Sequence, residues 1–315
     1  MNPNSGINGT AVATSSNLVT TILNRLFTGA ANEAREGKAT ALDPIIFNQE
    51  TAQNAAVNSS VQGGGGYFQI TANDTTPMPN AAIAAAQTRV TQILEIRQEL
   101  PISRTFMEDQ QLGSVMKAVE DRGRAWAQTR DRYAFSIYAN GFTTQTTIDG
   151  VALFSNSHVN EAGDTVDNLE TGALSDDNLN TVIVSLRNQQ AQGGYLAGYD
   201  PDFLLVPNQL HRTGTQITKS VLRAGTGNND LNYWSDIYPG MKVMYNAFLD
   251  QTSTTAYFVG AKNHGVKRFN REAFSSTLVP WQYQGNNQYL YKMISREAVD
   301  SIYYNGLVGS TGLTS

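Results

Sequence analysis

Asp149-Gly150-Val151-Ala152-Leu153-Phe154-Ser155-Asn156-Ser157-His158 arrives soon after a long amphipathic segment, Glu108 to Gly141. Read as a helix from Asp109 to Asn140, that segment extends about 48 Å at the helical rise of 1.5 Å per residue. Leu112, Val115, Met116, Val119, Trp126, Tyr133, Ala134, Ile137 and Tyr138 fall on one broad stripe. Gly113 and Gly123 each weaken a helix by about 1 kcal/mol relative to Ala. Gly123 lies on the stripe, where it permits close approach of another backbone. Pro101 precedes the helix and Gly141 follows it, where a left-handed stop belongs. The remaining side alternates Arg122, Arg124, Arg130 and Arg132 with Glu120, Asp121 and Asp131, which reads as a solvated or subunit-facing surface. One small domain cannot cover a helix of this length, although an ordinary buried helix would share its pattern.

Upstream, Leu100-Pro101-Ile102-Ser103-Arg104-Thr105-Phe106-Met107-Glu108-Asp109 reads as a strand that turns into the helix. Before it, Val90, Gln92, Leu94, Ile96, Gln98 and Leu100 alternate onto one mostly apolar face, with Arg89, Thr91, Ile93, Glu95, Arg97 and Glu99 on the other. Tyr67-Phe68-Gln69-Ile70-Thr71 is the expected partner strand, and the turn-rich tip holds Asp74, Pro77, Met78 and Pro79. The run Gly63-Gly64-Gly65-Gly66 reads as a hinge ahead of this hairpin. A lone hairpin is marginal in water, so this one is expected to rest on something outside the chain. Residues 1 to about 50 read as a tail: Leu18 to Phe27 has helical spacing, and Gly29 is the expected stop.

Downstream, Ser175 or Asp176 caps a helix whose period is Leu179, Val182, Ile183, Leu186 and Gln190, ended by Gly193-Gly194. Phe203-Leu204-Leu205-Val206 is a buried strand stopped by Pro207, and Asn208 opens a helix through Ile217, Val221 and Leu222. Strands are expected at 242–245, 256–260 and 265–269. A hairpin, 277–283 against 288–294, turns at Gln284-Gly285-Asn286-Asn287, and a last strand covers 298–304.

The 315 residues carry a formal charge of −5, and only 16% are charged, below the usual quarter. Uncharged polar surface suits a protein that meets many neighbours, because burying an amide costs less than burying a charge; plain compositional bias gives the same numbers. With no cysteine, disulfides, thiolate metal sites and cysteine nucleophiles are excluded. No apolar run approaches the ~18 residues that span a bilayer, and Met1 to Gly6 lacks the marks of a signal peptide. The mild acidity argues against tight nucleic-acid binding, which needs clustered Lys and Arg.

Catalytic chemistry is missing. His158, His211 and His264 stand far apart without metal-ligand spacing. His158 is expected to hold a loop by hydrogen bonding. Ser155 and Ser157 beside it lack a nucleophile elbow. The glycine run is not followed by Gly-Lys-Ser/Thr and opens no helix, so it is no phosphate cradle. No cofactor, metal or catalytic residue is expected; a soluble α+β hydrolase would need convergent titratable groups.

The succession LPISR…EDQ, DG-x-x-LFS-x-x-H and LLVP-x-x-L resembles the major capsid (major head) proteins of tailed bacteriophages, most closely the Mu-like major head subunit group, over roughly residues 88 to 300. The resemblance implies an α+β fold of the Hong Kong 97 type. It implies an N-terminal arm at 1–50 that lies along a neighbouring subunit, where a frayed terminus is the plainer reading, an E-loop hairpin and leading strand at 51–104, a P-domain at 105–145 and 270–296, and an A-domain at 146–269 and 297–315. It further implies pentamers and hexamers of this chain around double-stranded DNA, touched only non-specifically and away from any membrane. Portal, scaffold or protease, and decoration proteins would be assembly partners, in the cytoplasm of a host bacterium. Contacts between copies are expected at Tyr67, Phe68, Asp74, Pro77, Met78, Pro79, Arg97, Arg124, Trp126, Arg130, Gly285, Asn286 and Asn287. Trp126, Trp234 and Trp281 are candidate anchors, with packing inside the chain as the alternative. A cellular encapsulin-like shell shares the implied fold and is the competing reading.

Overall fold

The computed structural model describes residues 8–35, 43–61, 67, 87–108, 112–222, 231–283 and 285–313. The chain divides into two compact units: Met1–Ala41 with Ile93–Arg132 and Asn270–Ala298, and Leu42–Gln92 with Tyr133–Phe269 and Val299–Ser315.

In unit one, a helix Asn8–Arg35 packs beside residues of the long helix Leu112–Ala139. Leu23, Phe27, Val115 and Val119 join Ile102, Leu278, Tyr291 and Met293 in one core. A Cβ at Gly123 would lie 2.4 Å from the Phe27 carbonyl oxygen, so the close approach foreseen at that glycine is made by this chain's own N-terminal helix. Phe27 stacks on Phe274, ring centroids 4.0 Å apart. Tyr291 donates its hydroxyl to Asn24 Oδ1 at 2.7 Å, and Ser276 hydrogen-bonds the same oxygen. These contacts correct the expected arm: residues 23 to 31 dock within their own chain. The helix also runs through Gly29 rather than stopping there, because Ala30 and Ala31 beyond it are buried and the helix must continue to place them. Strand Leu94–Ser103 pairs antiparallel with Gln288–Ser301, from Leu94 opposite Glu297 to Ser103 opposite Gln288.

The expected hairpin is corrected in its first strand and in its return strand. Its first strand is Ala56–Val61, paired antiparallel with Gln87–Gln92; the glycine run expected as a hinge ahead of it lies outside the described residues. Of the expected strand 67–71 only Tyr67 is among the described residues. The expected return strand breaks at Ile93 into Gln87–Gln92 and Leu94–Ser103, and its faces are reversed at the break. Val90 and Leu94 are exposed while Thr91 and Ile93 are buried, because a buried carboxylate, Asp300, captures Arg89 and Thr91.

Unit two holds a five-stranded sheet in the order Leu169–Glu170, Leu307–Ser310, Tyr257–Ala261, Pro201–Pro207, Lys242–Asn246. Helix Asp176–Asn188 buries Leu179, Val182, Ile183 and Leu186 against Leu204, Val206, Val259 and Val308. Each such side chain contributes about 1.5–3 kcal/mol relative to exposure. Ser175 is the N-cap, accepting from the Asn178 amide at 3.2 Å, and the helix ends at Asn188, before the glycine pair. The helix after Pro207 begins as a single 3-10 turn and stops at Lys219, which leaves Val221 and Leu222 exposed rather than on its buried face. The strands expected at 265–269 and 277–283 are one, Val266–Val279, and the next pair is likewise one, Gln288–Ser301. The last strand is Leu307–Ser310, where none was expected.

Candidate assembly surfaces

The Asp149–His158 loop is held from inside. The His158 ring is fully buried and stacks on Tyr304 at 4.1 Å. Its Nδ1 meets Asp149 Oδ2 at 2.7 Å and its Nε2 meets the Leu153 carbonyl at 3.3 Å. Burial alone would raise the Asp149 carboxyl, but hydrogen bonds from His158, Thr147 and the Val151 amide outweigh it and hold the group below the usual carboxylate range. Neither ring nitrogen faces Ser155 or Ser157, whose hydroxyls bond each other at 2.9 Å. His158 is therefore a loop holder, as its sequence context suggested.

His264 does similar work elsewhere in unit two. Its Nε2 donates to the Ile45 carbonyl and its Nδ1 accepts from the Val266 amide, each at 3.2 Å, so the ring is neutral. Complete burial pulls its pKa from 6.5 to about 4. The unfolded chain takes up this proton near pH 6.5 and the folded chain only near pH 4. Stability from His264 is thus full above pH 6.5 and falls as pH drops towards about 4, by about 3 kcal/mol in all. Urea midpoints of wild type and His264→Gln, measured from pH 7 to pH 4, are expected to converge as pH falls. Parallel curves would contradict this.

The base of the hairpin is clamped by a cluster the sequence did not reveal. Arg89 grips Asp300 with Nε and Nη2, both at 2.8 Å, and donates Nη1 to the Thr147 carbonyl at 3.0 Å. Thr91 Oγ1 at 2.7 Å, Gln145 Nε2 at 3.1 Å and the Ser301 amide at 2.9 Å complete the carboxylate's partners. The fixed fork of a guanidinium suits such bidentate pairing.

The expected contact residues divide. Phe68, Asp74, Pro77, Met78 and Pro79 lie outside the described residues. Tyr67 is exposed; its hydroxyl accepts from the Leu196 amide at 3.0 Å, and its ring meets Tyr195 edge-on at 6.4 Å. Arg97 is three-quarters exposed and meets Glu95 at 3.4 Å. Gly285, Asn286 and Asn287 are exposed at the turn, where Asn287 takes the left-handed φ of 48° that asparagine tolerates. Arg124 is half exposed and already shared between Glu33 and Asp121. Two residues are engaged inside the chain. Arg130 pairs bidentately with buried Glu297, at 2.8 and 2.5 Å. Trp126 donates to Ser295 Oγ at 2.9 Å and packs on Phe27 and Phe274. A charged helix side can still meet a buried acid from a distant strand, which helical periodicity cannot signal. Trp234 is buried and donates to Asp176 at 2.5 Å, whereas Trp281 carries Arg104 over its ring at 4.3 Å. A surface missed from the sequence gathers exposed Val221, Leu222, Leu231, Tyr233 and Ile237 around a bridge between Leu222 and Leu231.

Among the described residues, no three His, Cys, Asp or Glu side chains are placed to hold a metal ion, and no helix is long and apolar enough to cross a membrane.

A family model described as phage capsid protein matches residues 88–289. The capsid of Myoviridae phage XM1 is similar in structure, at 18% identity and a TM-score of 0.52, with 88% of this chain and 92% of that chain covered. A chain of Mycobacterium phage Adephagia gives 14% identity and a TM-score of 0.54, over 87% and 90%. The virus-like particle from Pyrococcus furiosus gives 9% and 0.53, over 93% and 99%. No curated protein matches the chain.

Proposed function

Because the chain belongs to the phage capsid protein family, whose model spans residues 88–289, we propose that its copies close into pentamers and hexamers of an icosahedral head around double-stranded DNA. The chain is a tailed-phage major capsid protein of the Hong Kong 97-type α+β fold, a structural component of the virion and not an enzyme. The family match carries the reading. In it, residues 105–145 and 270–296 serve as the P-domain and residues 146–269 and 297–315 as the A-domain. The hairpin rooted at Arg89 and Thr91, the exposed Arg97 and the turn at Gly285 to Asn287 touch neighbouring copies. Single contacts can be modest, because a closed shell repeats each of them many times. Portal, scaffold or protease, and decoration proteins join during assembly in the host cytoplasm.

Likeness to the Pyrococcus particle, at 9% identity, speaks to the fold alone. Particles purified after expression in a host making the other head proteins decide between the readings. Five- and six-fold capsomers enclosing nuclease-resistant DNA are expected. Shells filled with a cargo protein and no DNA would favour a cellular compartment instead.

A further inference from the structure

We infer that the exposed stripe of the long helix from Ser114 to Arg132 is the surface that meets the phosphate backbone of the enclosed duplex; this rests on the reading that the shell holds DNA. The exposed positions Ser114, Lys117, Asp121, Arg122, Gln128, Thr129 and Arg132 lie within one arc of Leu112–Ala139. Lys117, Arg122 and Arg132 have no carboxylate partner among the described residues, in a chain whose formal charge is −5. The one acid in the arc, Asp121, is engaged by Arg124 at 3.3 Å. Arg124 is itself tied to Glu33 at 3.2 Å, so that pair adds little net charge to the stripe.

The composition discriminates between partners. An interface with another protein draws on buried Trp, Tyr and Arg anchors around an apolar centre; this arc has arginines but no aromatic residue and no large aliphatic one. Phosphate contacts use Arg and Lys together with Ser, Thr and Gln, and carry no base information. From Lys117 to Arg132 the helix rises about 22 Å, roughly the length of six or seven base pairs. Three cations per copy are too few for tight binding by one subunit. Repeated over a closed shell they form a weak lattice of contacts, which suits contents that must leave.

Two measurements test this. Acetylation of Lys117 by a small reagent is compared between DNA-filled and emptied particles, with exposed Lys242 as the reference. At least a fivefold loss of Lys117 reactivity is expected in filled particles alone. Equal reactivity in both, or protection in both, would overturn the proposal, the latter by making the stripe a contact between copies. Separately, binding of a short DNA duplex to the full chain and to the triple variant K117Q/R122Q/R132Q is followed against salt. The slope of log K against log salt should flatten by about 2.7 in the variant, at 0.9 per phosphate contact. An unchanged slope would overturn the stripe. Particles that never contain DNA, with the flattened slope retained, would instead sink the enclosed-DNA reading and leave the stripe a polyanion surface.

Discussion

Asp300→Ala is expected to lower the unfolding free energy by about 3–5 kcal/mol, the usual cost of breaking a buried ion pair from one side. The carboxylate accepts from Arg89 twice, from Thr91, from Gln145 and from the Ser301 amide. Its removal leaves the Arg89 guanidinium with the Thr147 carbonyl and the Thr146 hydroxyl in a site that is only 22% exposed. Much of the loss is therefore the cost of an unpaired charge, and removing the charge should recover it. The double variant R89M/D300A is expected to be more stable than the sum of its single changes predicts, by about 1–3 kcal/mol. Urea unfolding of the four chains measures this coupling. Additive effects would mean that the clamp is not formed in solution. The same variant should also weaken assembly beyond its effect on folding, because Gln87–Gln92 is rooted through Arg89 and Thr91.

Phe27→Ala should cost a similar amount, about 3–5 kcal/mol. The ring is 1% exposed and fills the space against Phe274 and Trp126. Gly123→Ala probes the same joint from the other helix. Its new methyl would meet backbone, the Phe27 carbonyl, which cannot swing away as a side chain could. About 1–3 kcal/mol is expected from the forced separation. If Phe27→Ala changes stability by less than about 0.5 kcal/mol, the range of surface substitutions, the N-terminal helix does not dock on its own chain in solution. The first expectation for this segment, an arm laid on a neighbour, would then return.

The segments most legible in the sequence were those in which one local signal sufficed. The stripe of the long helix, the Ser175 cap and the four-residue apolar run at Phe203 each report burial through periodicity or hydrogen-bond chemistry alone. His158 was legible for a similar reason, since its partners Asp149 and Leu153 lie within ten residues. The hairpin misled because its partner is a charge. Alternation assigns the apolar face inward, yet Asp300, 211 residues from Arg89, draws the polar face in. Arg130 hid its role likewise, with Glu297 placed 167 residues away. Strand Leu307–Ser310 is short and carries Gly309 within it, and glycine is depleted in strands, so no strand pattern stands out. At Gly309 a side chain would collide with Phe154, 2.7 Å from the Cβ position, so the glycine is there for packing. Strand Ala56–Val61 is polar through Asn58-Ser59-Ser60, and its half-buried positions Val57 and Ser59 differ in polarity, so alternation there carries little signal.

As a shell subunit, this chain completes its burial against copies of itself. Sedimentation velocity of the purified full chain over a hundredfold concentration range tests it most directly. A shell subunit is expected to give capsomers and closed particles that grow at the expense of a small species as concentration rises. A single monomeric boundary of 34.3 kDa at every concentration would contradict the account.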